Sequence, residues 1–316
     1  MAMTINGTSL AYAGMRNANK SVQKTSTALQ RISTGLKINS AKDDPAGFVI
    51  SELLRSQAGA TQAALQNTRE ANNLLSIAEG GLGSMQENLR QMKGLAIHAL
   101  NSGITSPEQV SADQAVLNSL LQTMQRTADT TRYADQNLLD GSRNDPTAEP
   151  QTAFQVLPEG GGEGGRQLQL GGGSTEADRQ RVNLPNALPA NLGQVEQGGK
   201  TYSLNDLYGG GDASLAQNPE LAIKIIDQAI MDVSAARAGI GAYQANQLDA
   251  NANNLEIELA NLVATESYIR DTDIARQATE MAQAQTQMQA GLKVIAKANQ
   301  LARQNAMQLI GAPGAK

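Results

Sequence analysis

The chain is expected to be mainly α: a long antiparallel coiled-coil helical bundle with a small β-hairpin and loop region in the middle of the sequence. Three observations carry this expectation. Apolar residues recur at heptad spacing on both sides of a central zone. That zone, 141–219, is crowded with Gly and Pro, which cannot sustain helix. Aromatics make up only 3% of the 316 residues, with no Trp and two Phe, too few to line a large substrate pocket.

In the amino-terminal zone the first helix carries Val22, Leu29, Ile32 and Leu36 on one face. From Leu75 an unbroken seam runs through Ala78, Leu82, Met85, Leu89, Met92, Ala96 and Ala99 in steps of three and four. That is how one helix face meets a partner helix. The seam stays in phase across Gly80, Gly81 and Gly83, so one helix about 60 Å long is expected over residues 60–100. A further segment places Leu117, Leu121, Met124 and Ala128 on one face.

The central zone holds glycine clusters at 160–162, 164–165, 171–173 and 209–211, with prolines at 146, 150, 158, 185, 189 and 219. Two short alternating pieces, Phe154–Leu157 and Gln167–Leu170, straddle the first cluster and predict a hairpin. The remainder reads as turn and loop. No strand–helix alternation exists to make a dinucleotide site, so the glycine clusters read as linkers rather than phosphate cradles.

After it, Ala222, Ile226, Ala229, Val233, Ala236, Ile240 and Tyr243 repeat the heptad steps. The last helix carries Met281, Met288 and Ile295 at sevens, with Ala284, Gly291 and Ala298 three residues on. Apart from these seams the terminal helices are largely Ala, Gln, Asn, Ser and Thr. Such helices bury too little apolar surface to be stable alone and are expected to order fully only against other copies. Methionine at seam spacing reads as adaptable core.

Most chemistry is excluded by composition. No Cys means no disulfide, thiolate nucleophile or Cys-ligated metal. The single His98 lies between the seam positions Ala96 and Ala99, as expected of a partly exposed helix residue rather than a base. Asp43-Asp44-Pro45 and Asp271-Thr272-Asp273 lack the spacing of a cation loop and read as turns making subunit contacts. No catalytic residue, metal or cofactor is expected. Residues 1–60 carry seven basic against three acidic side chains. These basic residues follow a helical period without interleaved aromatics, so neither nucleic-acid binding nor membrane insertion is expected. A Sec-type signal peptide is not expected either.

The two helical zones resemble bacterial flagellin. The segment L-x-R-I-S-T-G-L-K-I-N-S-A-K-D-D-P-A-G, Leu29 to Gly47, is similar to the family signature almost letter for letter. Ala78-Glu79-Gly80-Gly81-Leu82, Thr130 to Tyr133, Leu138 to Gly141 and Ser267 to Ala275 resemble further family motifs, as does Gln289 to Gln300. The resemblance implies a structural, non-enzymatic subunit that polymerises with copies of itself into an extracellular filament for swimming, exported through the flagellar apparatus. It implies terminal helices, 1–45 and 271–316, that pair into an inner coiled-coil tube. Residues 46–140 and 220–270 then form an outer tube, and 141–219 replaces any large variable domain. Subunit packing is expected at Val22, Leu29, Ile32, Leu36, Asp43, Asp44, Leu75, Leu82, Leu89, Arg270, Asp271, Asp273, Met281, Met288 and Ile295. Expected partners are an export chaperone, the cap and hook-junction proteins. A hook–filament junction protein is the alternative reading. Many family members are sensed by an innate immune receptor through a stretch like Q-R-V-R-E-L-A and a glutamate on the next helix. Here Gln91 replaces the arginine, Gly94 the glutamate and Val116 the acidic residue, while Leu95 is kept; weak recognition is expected.

Overall fold

The computed structural model describes residues 4–101, 105–144, 151–157 and 164–310; side chains of 4–10, 305, 306 and 308–310 are outside the described set. The glycines at 160–162 and the prolines at 146, 150 and 158 therefore lie outside the described residues. The chain divides into two compact units, 1–57 with 261–316, and 58–260.

The long helices are α1 (Thr4–Thr34), α2 (Pro45–Leu100), α3 (Pro107–Thr130), α4 (Pro219–Tyr243), α5 (Asp249–Arg270) and α6 (Ile274–Ile310), with a π turn (Gln244–Leu248) between α4 and α5. Three begin the same way, with a capping side chain followed by proline. Asp44 accepts from the Gly47 amide at 3.0 Å before α2. Ser106 and Gln109 form a reciprocal capping box before α3, and Asn218 accepts from the Leu221 amide before α4. The cap satisfies an otherwise orphaned N–H, and proline fills a first-turn position that needs none. Gly35, at φ +73°, stops α1 by taking the left-handed conformation that side chains resist.

In the second unit the expected seam of α2 is buried along its whole length. Leu75, Leu82, Met85, Leu89 and Met92 have no exposed surface. They share one core with Leu117, Leu121 and Met124 of α3 and with Ile226, Val233 and Ile240 of α4. The heptads thus meet partner helices of the same chain. Towards its amino-terminal end the seam continues through Ala71, Thr68, Ala64 and Thr61, further than the sequence reading took it. Gly80 and Gly83 face open space, whereas a Cβ on Gly81 would lie 2.8 Å from Leu139 Cδ1 and 2.9 Å from Thr131 Oγ1. We therefore expect Gly80→Ala and Gly83→Ala each to raise stability by about 0.5–1 kcal/mol, and Gly81→Ala to lower it. Urea denaturation reads the signs; a stabilising Gly81→Ala would contradict the close seating of Leu139 on α2.

The central zone departs from the expected hairpin. Strands β3 (Gln155–Leu157) and β4 (Arg166–Gln169) do not pair with each other. Both pair antiparallel with β5 (Arg179–Asn183), in the order β3-β5-β4. β5 contains one strongly apolar residue, Val182, so periodicity gave it no signal. Two further hairpins are present: β1 (Arg132–Tyr133) with β2 (Gln136–Asn137), and β6 (Val195–Gln197) with β7 (Lys200–Tyr202). The second turns on Gly198-Gly199, both at positive φ, as a tight hairpin demands. The loops between are also less free than expected. Leu184, Leu192, Leu204, Leu207 and Leu215 are buried in the core of the second unit. The glycines at 171–173 are no linker either: a Cβ on Gly171 would meet Asp178 at 1.9 Å, and one on Gly172 the Thr61 amide at 3.1 Å.

Candidate functional site

In the first unit α1 and α6 lie side by side, antiparallel, and the contact is made by small side chains. On α1 it runs through Gly14, Ala18, Ser21, Thr25 and Ala28, spaced by four and three. On α6 Gln277, Ala284 and Ala298 are buried, with Met281, Met288, Gly291 and Ile295 partly buried between them. A Cβ on Gly14 would sit 2.9 Å from Ile295 Cγ1, and one on Gly291 would sit 3.5 Å from Ala18 Cβ. The backbones approach closely because nothing larger stands between them. The same smallness limits what the pair gains: a buried methylene is worth about 0.8 kcal/mol, and this seam contributes few of them.

The α6 seam falls where Met281, Met288 and Ile295 place it. The α1 stripe does not. Val22 is 50% exposed and Leu29 60%, so the apolar stripe read from the sequence turns away from α6. Tyr12 and Met15 extend it, at 68% and 58% exposure. The positions 12, 15, 22 and 29 obey the a/d arithmetic of a coiled-coil face. α1 therefore has two heptad faces. The small one is used within the chain, and the large apolar one has no partner among the described residues. Ile32 and Leu36 are partly buried at the end of the helix.

Beyond Gly35 the chain is tied to the α5–α6 link. Lys37 N donates to Arg270 O at 2.6 Å, Thr272 N donates to Gly35 O at 2.9 Å, and Leu36 bridges Asp271. Arg270 is largely buried. It binds Glu52 at 2.7 Å, lies 3.9 Å from Glu266 and rests over the Phe48 ring. The acidic pairs singled out in the sequence are capping groups. Asp43 Oδ2 accepts from the amides of Ser40 and Asn39 at 3.0 and 3.1 Å. These bonds, the Ser40 amide foremost, hold its carboxyl below the usual range. A depressed carboxylate adds stability above its unfolded pKa and loses it as pH falls through the folded value, so this turn loosens only below about pH 4. Asp44 caps α2. Asp273 Oδ1 accepts from the Arg276 amide at 3.1 Å and caps α6, and Asp271 accepts from the Ser267 hydroxyl.

Within the single chain the residues expected to pack subunits are placed as follows. Leu75, Leu82 and Leu89 are fully buried inside their own chain. Asp43, Asp44, Asp271 and Asp273 spend their hydrogen bonds on local turns and caps. Arg270 closes a junction within the first unit. Tyr12 and Met15, which the sequence reading passed over, join the exposed stripe; their spacing to Val22 was the signal available. His98 is half-exposed, with Nδ1 2.6 Å from Asp113 Oδ2. Gln91 is exposed and Val116 50% exposed, while Leu95 packs partly into the core. Among the described residues no three acidic or imidazole groups converge to hold a metal ion, and no helix is long and apolar enough to cross a membrane.

Residues 5–144 match the bacterial flagellin N-terminal helical region, and residues 223–310 match the bacterial flagellin C-terminal helical region. The chain is similar to the flagellin of Bacillus subtilis, 29% identical over 98% of this chain and 100% of that protein. It is 31% identical to the flagellin of Halalkalibacterium halodurans, over 94% of this chain and 96% of that protein. It is also similar to the flagellar filament 33 kDa core protein of Treponema phagedenis, 28% identical over 95% of this chain and 96% of the relative.

Proposed function

This chain belongs to the bacterial flagellin family, and from that membership we propose how its parts divide the work of assembly. It is a structural subunit that polymerises with itself into the extracellular flagellar filament. The observation that carries the division of labour is the unpartnered heptad stripe Tyr12, Met15, Val22 and Leu29. An apolar face at coiled-coil spacing that the chain does not cover is what a helical neighbour buries.

In this reading 1–45 and 271–316 form the inner tube, 46–140 and 220–270 the outer tube, and 141–219 a short outward region. Val22 and Leu29 meet a second copy. Met281, Met288 and Ile295 hold α6 on α1, and Ile32 and Leu36 close the end of the pair. Arg270 with Asp43, Asp44, Asp271 and Asp273 sets the junction through which assembly forces pass. Leu75, Leu82 and Leu89 serve packing indirectly, by keeping the second unit rigid. A stripe that meets a different patch on the next copy does not close on itself, so addition continues as a helix.

The subunit travels through the flagellar export apparatus. An export chaperone covers α6 before assembly, where Leu292 and Leu301 are about half-exposed, and the filament ends on cap and hook-junction proteins. The relatives are filament proteins, which favours a bulk subunit over a hook–filament junction protein. Adding purified chain to sheared filament seeds tests this: sustained elongation supports the subunit reading, and a layer that stops after one round supports the junction protein.

The receptor segment should be nearly silent. With Gln91 and Val116 in place of charged groups, the charge-assisted bonds of such an interface are missing, and each is worth about 1.5–3 kcal/mol. A cell reporter for the innate receptor should respond at least about tenfold more weakly than to a flagellin that carries the charges. A full response would overturn this assignment.

A further inference from the structure

The α4–α5 rod changes phase within the second unit. Buried positions step by three and four through Val233, Ala236, Ile240 and Tyr243, then jump by five to Leu248 and by seven to Leu255. Had the earlier spacing continued, Gln247, Asn254 and Ile257 would face α2; all three are exposed, Ile257 at 62%. The jump coincides with the π turn, whose i→i+5 bonds take up one residue more per turn than an α-helix. Opposite it, the α2 seam of Thr68, Ala71, Leu75 and Ala78 runs without a skip. The surplus residue is thus carried by one helix of the pair alone.

Within the π turn Leu248 alone is fully seated in the core, whereas Ala245, Asn246 and Gln247 are all exposed. The bulge is pinned by amides. Gln244 Nε2 donates to Asn72 Oδ1 at 2.6 Å and to Ser76 Oγ at 3.1 Å, and Asn72 Nδ2 donates to Asp249 Oδ1 at 3.3 Å. Such exchangeable bonds shift at far lower cost than core packing does.

We infer that this π turn is the compliant point of the subunit, where α4 and α5 change relative length and twist while both seams stay seated on α2. A filament that bends is shorter along its inner flank than its outer one. Identical rods can occupy both flanks only if each contains a place that yields. A single surplus residue, redistributed along the exposed 245–247 stretch, supplies it without opening the apolar core. This rests on the filament reading, but its first test needs only the soluble chain.

Hydrogen exchange on the soluble full-length chain should show the amides of 245–249 opening at least about tenfold faster than those near Ile240 and Leu255. Deleting Ala245 restores a step of four between the flanking seams. That variant should keep or raise its thermal midpoint and lose the fast window. It should still elongate seeds, giving filaments with a narrower spread of curvature in electron micrographs. Gln244→Ala, which removes the pins without altering chain length, should speed exchange in the same window and leave the flanks unchanged. Uniform exchange in the unaltered chain overturns the inference. So does a deletion variant that melts earlier, or one whose filaments bend as freely as before. If the unaltered chain elongates no seeds, the filament reading fails, while the exchange comparison still decides whether the bulge yields.

Discussion

Replacing Val22 and Leu29 together by aspartate is expected to stop filament growth while leaving the protomer folded. In the single chain both side chains are at least half exposed, so each substitution should cost about 0.5 kcal/mol and the double variant about 1 kcal/mol of protomer stability. In the polymer each is expected to complete its burial. Fully burying a Val or Leu is worth about 1.5–3 kcal/mol, and roughly half of that remains to be gained at each position, or about 1.5–3 kcal/mol for the pair. Two carboxylates taken into an apolar contact add a further penalty. With tenfold in equilibrium for every 1.4 kcal/mol, the critical concentration should rise by about two orders of magnitude or more. Sedimentation of seeded reactions measures it. An unchanged critical concentration would mean that the stripe faces solvent in the filament as well.

The opposite behaviour is expected of Leu82→Ala. Leu82 has no exposed surface and sits in the shared core of α2, α3 and α4. Removing it should cost about 2–5 kcal/mol, through lost transfer energy and the cavity left behind. Urea unfolding should show a lower midpoint with an unchanged slope. At concentrations where the variant is folded, seeded growth should proceed near the parental rate, because no contact between copies has been removed. A loss of growth without a loss of stability would place Leu82 in an interface and contradict its burial.

Much of this was legible before any coordinates. The α2 seam could be read letter by letter, because bulky Leu and Met at strict steps leave one face to bury. The α1 face that meets α6 gave no signal, for a physical reason. Gly14, Ala18, Ser21 and Ala28 carry so little apolar weight that Val22 and Leu29 outvoted them, although small residues are what let two backbones meet. The larger stripe was real but pointed outward. The phase jump after Tyr243 was also written in the sequence, since Leu248, Leu255 and Leu262 repeat at sevens in a frame one residue off the earlier one. The frame that ends at Tyr243 would place Ile257 on the seam, and the structure leaves it exposed. β5 had no periodic signal, and it pairs both with β4, beginning ten residues back at Gln169↔Arg179, and with the more distant β3. The acidic pairs were recognised as turns, yet their work as helix caps shows only in the bonds they accept.

The most direct test is a helical reconstruction of the polymer by electron cryo-microscopy at side-chain resolution. Tyr12, Met15, Val22 and Leu29 should be buried against a neighbouring copy, with α6 still seated on Gly14 and Ala18 of its own chain. If those four side chains instead face an open lumen or bulk solvent, and neighbouring copies meet through Lys20 and Lys24, the account of assembly given above is wrong.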